Sequence, residues 1–208
     1  MTMSRAGRPK SNEKREAVLR AAVDLFLTNG FKETSMEKVA NVSGVSKQTV
    51  YSHFENKEKL FLAVIAFKCE EYSLNLQELA GHDEGLEHTL SVVCSRFVGL
   101  FQDEEVVSMF AVIIAEARNS PRVGELFYQA GPLASVNSIS EIIFNLSQQD
   151  ISESDARMLA GDFFGLLKGQ WHMRSLMNLD YEMDEKQRNQ CVKTVVDKTM
   201  VLLNHYYS

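Results

Sequence analysis

The chain has 208 residues, 45% hydrophobic and 24% charged, with only 3 Pro and 11 Gly, which excludes collagen-like, proline-rich and wholly disordered proteins. Its longest apolar run, Leu60 to Phe67, is too short to span a bilayer, and the charged start Met1–Lys10 has no apolar core of a secretory leader. The net charge of −6 hides an asymmetry: residues 1–60 carry 11 Lys+Arg against 7 Asp+Glu, whereas the remainder is strongly acidic. A basic head on an acidic body fits a small polyanion-binding module joined to a larger soluble domain.

Helical spacing recurs along the whole chain, with no sustained period-two alternation. Residues 13–28 place Val18, Ala22, Leu25 and Phe26 on one stripe and stop at Asn29-Gly30. Thr34-Ser35-Met36-Glu37 reads as a capping box opened by Thr34, with Val39 and Ala40 inward and an end near Ser43-Gly44. Ser46 caps a short helix through Tyr51 and His53, and Asn56 caps a fourth that runs past Phe67 towards Leu79. Further helices are expected at 84–102, 104–118, 121–148 with a bend at Gly131-Pro132, 153–177 and 184–206. Pro121 suits a first helical position, and Ser152 or Ser154 suits a cap. Nine helices and no repeat make an all-α, two-domain protein.

The segment Thr34–Lys59 carries the functional signal. Two short helices meet at a tight turn around Gly44-Val45, where a glycine admits a left-handed backbone. Val39, Ala40, Val45, Val50 and Phe54 pack the pair inward. The second helix keeps Lys47, Gln48, Thr49, Tyr51, Ser52 and His53 outward, a face whose amides, hydroxyls and amine suit the donors and acceptors of a major groove.

Leu19-Arg20-Ala21-Ala22, Leu25-Phe26, Gly30-Phe31, Thr34-Ser35, Val39-Ala40, Gly44-Val45-Ser46-Lys47, Thr49-Val50-Tyr51, Phe54 and Lys57-Glu58-Lys59-Leu60 together resemble the N-terminal signature of TetR/AcrR-family transcriptional regulators. The match covers about residues 13–62 without a gap. The resemblance implies a flexible basic arm at 1–12, a helix-turn-helix DNA-binding domain at 13–58 and a ligand-binding and dimerisation domain at 59–208. It implies a cytoplasmic homodimeric repressor on double-stranded operator DNA, nearly palindromic, released by a hydrophobic small-molecule inducer.

By position, Lys47, Gln48 and Thr49 match residues that contact bases or nearby phosphates, with Ser46 at the head of the same helix. Tyr51 and His53 match phosphate-holding residues, Lys57 a backbone anchor at the start of the fourth helix, and Thr34 a phosphate-contacting cap. Glu37 departs from the family, since some members have a base-reading arginine there; it stays with the capping box. Arg5, Arg8 and Lys10 in the arm are either minor-groove or phosphate contacts, or a solvated tail.

Beyond residue 60 the sequence is less specific. Phe97, Phe101, Met109, Phe110, Phe127, Phe163 and Trp171 are candidate walls of an inducer pocket, though such residues equally fill a core. No buried fixed charge is obvious among them, so a largely apolar inducer is expected. A DNA-binding module without a ligand shares every N-terminal feature and differs only in whether this core is hollow. Gly161, Gly165 and Gly169 recur every fourth residue as one small-residue row. With Val192, Val195, Thr199, Leu202 and Tyr206 on the last helix, that row is expected to form a four-helix dimer interface, the alternative being close packing inside one subunit.

Other chemistry finds little support. Asp162-Phe163-Phe164-Gly165 lacks the partner motifs of a kinase, and His82 and His88 with Asp83, Glu84 and Glu87 do not follow zinc spacing. Cys69 (beside Lys68), Cys94 and Cys191 form no CxxC and are expected to be inert thiols. No GxSxG, HExxH or phosphate loop occurs, and Trp171-His172 alone makes no active site, so neither an enzyme, a cofactor nor a metal is expected.

Overall fold

The computed structural model describes residues 10–71, 85–147 and 150–206. Helix α1 (Lys10–Glu33) begins three residues ahead of the expected start and is broken at Gly30, whose φ of 74° and ψ of 176° no helix contains. Helix α2 (Met36–Ser43) ends on Gly44 at φ 67°, the left-handed turn that glycine makes without strain. Helix α3 (Lys47–Phe54) is capped by Ser46, whose Oγ accepts from the Thr49 N–H at 3.3 Å. Helix α4 (Lys57–Glu71) starts after Asn56, whose Oδ1 accepts from the Lys59 N–H at 2.9 Å. Its expected continuation towards Leu79 lies outside the described residues.

The capping box is displaced by one residue. Ser35 caps α2, accepting from the Lys38 N–H at 3.2 Å. Thr34 is 1% exposed and turns its hydroxyl back to α1, donating to the carbonyls of Gly30 at 2.7 Å and Leu25 at 3.0 Å. Carbonyls at a broken helix end lack ladder partners, and a buried hydroxyl satisfies them.

Helices α5 (Gly85–Gln102), α6 (Glu104–Ala117), α7 (Pro121–Tyr128), α8 (Ala134–Leu146), α9 (Glu153–Leu176) and α10 (Glu185–Tyr206) follow. The bend expected at Gly131-Pro132 is a single π turn, Gln129–Leu133, that joins α7 to α8. Its wider winding accommodates a proline that has no N–H to donate. Counting α7, the π turn and α8 as one run, the described residues form nine helical stretches, without strands.

The chain divides into two compact units, residues 1–67 with 112–127, and residues 68–111 with 128–208. The first is closed by Val18, Leu19, Ala22, Phe26, Val39, Val50, Phe54 and Leu60, each no more than 3% exposed. Phe61 meets Phe26 and Phe31 edge-on, with ring centroids 5.2 Å apart in both pairs. A fully buried phenylalanine of this kind contributes about 3–5 kcal/mol against alanine. In the second unit, one face each of α5, α8, α9 and α10 meets in a continuous core around Leu90, Phe97, Ile139, Ile143, Leu159, Phe163, Leu167 and Val196.

Candidate functional site

Burial of Val50 and Phe54 fixes which side of α3 faces outward. Lys47, Gln48, Tyr51 and Ser52 are exposed on it, with Thr49 and His53 half-buried at its edges. The Ser46 and Thr49 hydroxyls are 2.8 Å apart, so the helix start is pinned by side chains as well as backbone. Glu37, released from the capping box, instead pairs with Lys47 at 2.5 Å. Their hydrogen bond holds the Glu37 carboxyl below its ordinary range and Lys47 above its own. Lys47 also lies 5.8 Å from the Tyr51 ring centre. The helix therefore presents an amide, hydroxyls and one partly neutralised cation. Lys10 opens α1, and Arg5 and Arg8 lie outside the described residues.

Two of the positions assigned to phosphate are also structural. Thr34 has its hydroxyl committed to α1 carbonyls and 1% exposure, so its side chain is not a phosphate contact. Lys57 donates to the carbonyls of Phe31 at 2.8 Å and Lys32 at 3.1 Å, and stands 4.4 Å from the Phe31 ring centre. Burial lowers its pKa, against the opposing charges of Glu116 and Glu33.

Sequence reasoning missed the other half of this junction. Glu116 of α6 accepts from the backbone N–H groups of Phe31 at 2.7 Å and Lys32 at 2.9 Å. Arg122 of α7 ties Glu58 of α4 at 2.8 Å and Glu125 at 3.0 Å, which raises its own pKa and lowers that of Glu58. Apart from the local Arg122–Glu125 pair, these contacts bridge residues 64–85 positions apart, so no local pattern announces them.

In the second unit, Phe97, Phe101, Met109 and Phe163 are 0–6% exposed and serve as core. Phe101 is a hub, with ring centres of Phe97 at 5.9 Å, Phe110 at 6.1 Å, Trp171 at 6.4 Å and His172 at 5.1 Å. Phe127 belongs to the first unit. The expectation of a core without fixed charge is corrected twice. Lys68, 7% exposed, binds Glu71 at 2.6 Å and Glu105 at 2.8 Å; burial opposes its charge, but these bonds more than offset it and raise its pKa. Lys168 is half-buried, and burial alone lowers its pKa. Cys94 is buried with its thiol pushed up to about 12, and burial also raises Cys69 and Cys191, as inert thiols require.

The interface stripe also needs correction. Val195 is 3% and Thr199 0% exposed, so both face this chain's own core rather than a second copy; the stripe marks a buried side of α10. Val192 and Leu202 are half-buried, and Tyr206 ends the helix. Gly169 leaves the glycine row, because its φ of 44° and ψ of −161° break α9 there. Gly161 and Gly165 remain exposed, and a Cβ on either would meet no atom within 4 Å among the described residues.

Comparison with known proteins accounts for both parts of the chain. Residues 18–64 match the model of bacterial regulatory proteins of the tetR family, and residues 88–206 match the C-terminal domain of AefR-like transcriptional repressors. The HTH-type transcriptional regulator YerO of Bacillus subtilis strain 168 is 33% identical over 76 residues, 36% of this chain and only 25% of YerO's own length. A TetR-family regulator from Mesorhizobium loti MAFF303099 superposes with a TM-score of 0.73 at 24% identity, covering 94% of this chain and 98% of that one. The flavonoid-responsive regulator FrrA gives 0.66 at 26% identity, covering 91% and 96%. The chain, a DNA-binding transcription regulator and not an enzyme, therefore belongs to the TetR family.

Proposed function

We propose that the protein is a repressor that binds a near-palindromic operator as a homodimer in the cytoplasm and leaves it when a hydrophobic small molecule occupies the second unit. The observation that carries the DNA part is the α3 face of Gln48, Lys47, Tyr51 and Ser52, exposed while Val50 and Phe54 anchor the helix from behind. A rigid helix with amide and amine groups at its start reads base edges, and paired copies read two half-sites about one helical turn apart. The aromatic hub around Phe101 and the likeness to a regulator described as flavonoid-responsive support a small-molecule signal. No described helix is long and apolar enough to cross a membrane.

Gln48, Lys47, Thr49 and Ser46 would contact bases or adjacent phosphates, with Tyr51, His53 and Lys57 on the backbone. An inducer would act by favouring the conformation whose recognition helices are misplaced for DNA, a shift of populations carried through α4. Selection of binding sites from random duplexes, followed by sedimentation of the complex, tests the reading. A palindromic consensus bound by two chains is expected. A non-palindromic site held by one chain would refute it.

A further inference from the structure

Around the Phe101 ring the second unit collects two nitrogen bases. Lys168 Nζ stands 5.8 Å from the ring centre of Phe101, and His172 packs against the same ring at 5.1 Å. His172 is 7% exposed, and its ring has one recorded hydrogen-bond neighbour among the described residues, Ser175 Oγ at 3.5 Å from Nδ1. Lys168 makes no ion pair with any carboxylate among the described residues, unlike Lys68, which holds two. Partial burial of an ammonium without a counter-charge is unfavourable, and the Lys168 pKa is lowered in that direction.

The backbone is shaped at the same place. Gly169, between Lys168 and Trp171, breaks α9 at φ 44°, and the Trp171 indole N–H donates to the Leu167 carbonyl at 3.0 Å across the break. A helix interrupted beside a half-buried charge is a common device of ligand sites. Phe101 and His172 form a buried floor, while Phe110, Lys168 and Trp171 are half-buried around it. The result is an aromatic surface with a cation at one edge and a buried imidazole beneath.

We propose, resting on the reading of the second unit as a ligand-binding domain, that this cluster binds an apolar monoanion. Its carboxylate pairs with Lys168 Nζ, and its hydrocarbon body lies against Phe110 and Trp171. The acidic group supplies the counter-charge that the described residues do not provide, and the apolar body gains from leaving water. This narrows the largely apolar inducer expected from the sequence to one that carries a single negative charge. Sugars and nucleotides are disfavoured, because the described groups offer too few polar partners for their hydroxyls.

Trp171 is the only tryptophan of the chain, so its emission reports on this cluster alone. Full-length protein is titrated with dodecanoate and with dodecanol, by Trp171 fluorescence and calorimetry, for the wild type, Lys168→Met and Lys168→Arg. Dodecanoate is expected to bind the wild type. Lys168→Met should weaken it by about tenfold or more, while dodecanol changes by no more than about twofold. Lys168→Arg should retain most of the acid's affinity. Thermal melts without ligand confirm folding, and Lys168→Met should melt no lower than the wild type, since it removes an unpaired half-buried charge. If Lys168→Met weakens acid and alcohol alike, or neither, the monoanion assignment is overturned while the ligand-binding reading stands. If neither compound binds the wild type, that reading fails along with it.

Discussion

The Glu116 carboxylate holds the backbone of Phe31, accepting its N–H at 2.7 Å and that of Lys32 at 2.9 Å where α1 breaks at Gly30. A Cβ on Gly30 would stand 2.9 Å from Glu116 Oε1, and the φ of 74° disfavours any side chain there. Glu116→Ala should cost about 1.5–3 kcal/mol through the loss of two charge-assisted bonds. Gly30→Ala should cost about 2–4 kcal/mol, because it adds left-handed strain to displacement of that carboxylate. The double variant should cost less than the sum, since alanine at 116 removes the clash. Strictly additive melting shifts would show that the two residues do not share one junction.

Lys57 is held by two carbonyls, but an ammonium has three protons to donate. The third is available to a phosphate without dismantling the junction. Lys57→Met should therefore lower the melting temperature and, in a salt titration of operator binding, flatten the slope by about one per half-site, equally for all sequences. An unchanged slope with a lower melting temperature would confine Lys57 to a structural role.

His172 makes stability depend on pH. Burial first, and the Lys168 charge second, lower its pKa from 6.5 to about 4. Between those values the unfolded chain binds the proton that the folded chain refuses, so stability is full above about pH 6.5 and falls as pH drops towards 4. The loss amounts to about 3 kcal/mol at the acid end. His172→Phe keeps the ring contacts with Phe101, Phe110 and Trp171 and should flatten that part of the profile. Urea melts at pH 7.5, 6, 5 and 4 for both proteins check this. Parallel curves would mean that His172 does not contribute.

Much of this was legible from local pattern and some of it was not, for identifiable reasons. Ser46 and Asn56 were readable as caps because each is satisfied by a neighbour three residues away, and Gly44 because glycine makes the left-handed turn at a helix end without strain. Thr34 and Ser35 are both good caps by type. Which one turns inward is decided by burial against α1, a tertiary fact. The apolar stripe Val195–Thr199 shows that one side of α10 is covered, but periodicity is silent on whether the cover is the same chain or another. Lys168 reads as surface until α9 is seen to break at Gly169 and Phe101 is seen beneath it. Glu116 and Phe31, 85 residues apart, share no pattern at all.

Glu37 pairs with Lys47 on the face proposed to meet DNA. Both side chains are exposed, so the pair contributes little to stability, yet it offsets a cation where phosphates would lie. Glu37→Gln should strengthen binding to all sequences and steepen the salt slope by about one per half-site. Gln48→Ala should leave the slope unchanged and relax base preference at one position of each half-site. Anisotropy titrations at several salt concentrations and a binding-site selection separate the two effects. An unaltered preference for Gln48→Ala would remove it from base reading.

Gly161 and Gly165 decide where a second copy would sit. A glycine inside a helix costs about 0.5–1 kcal/mol relative to alanine, so two on one face require a contact that a side chain would block. Within the chain none exists among the described residues, since a Cβ on either meets no atom within 4 Å. The same helix exposes Met158 at 61% and Met173 at 56%, and α10 exposes Val201 at 63%. Apolar side chains beside bare backbone suit close helix packing about a twofold axis, where each patch meets its own copy. The interface is therefore expected on the outward sides of α9 and α10, without the inward Val195 and Thr199. Gly165→Ala should stabilise an isolated subunit by about 0.5–1 kcal/mol, since it restores helix propensity without a clash. Gly165→Leu should convert a dimer to monomer in sedimentation and abolish tight operator binding, while circular dichroism stays helical. A Gly165→Leu protein that remains dimeric with an unchanged dissociation constant would place the interface elsewhere.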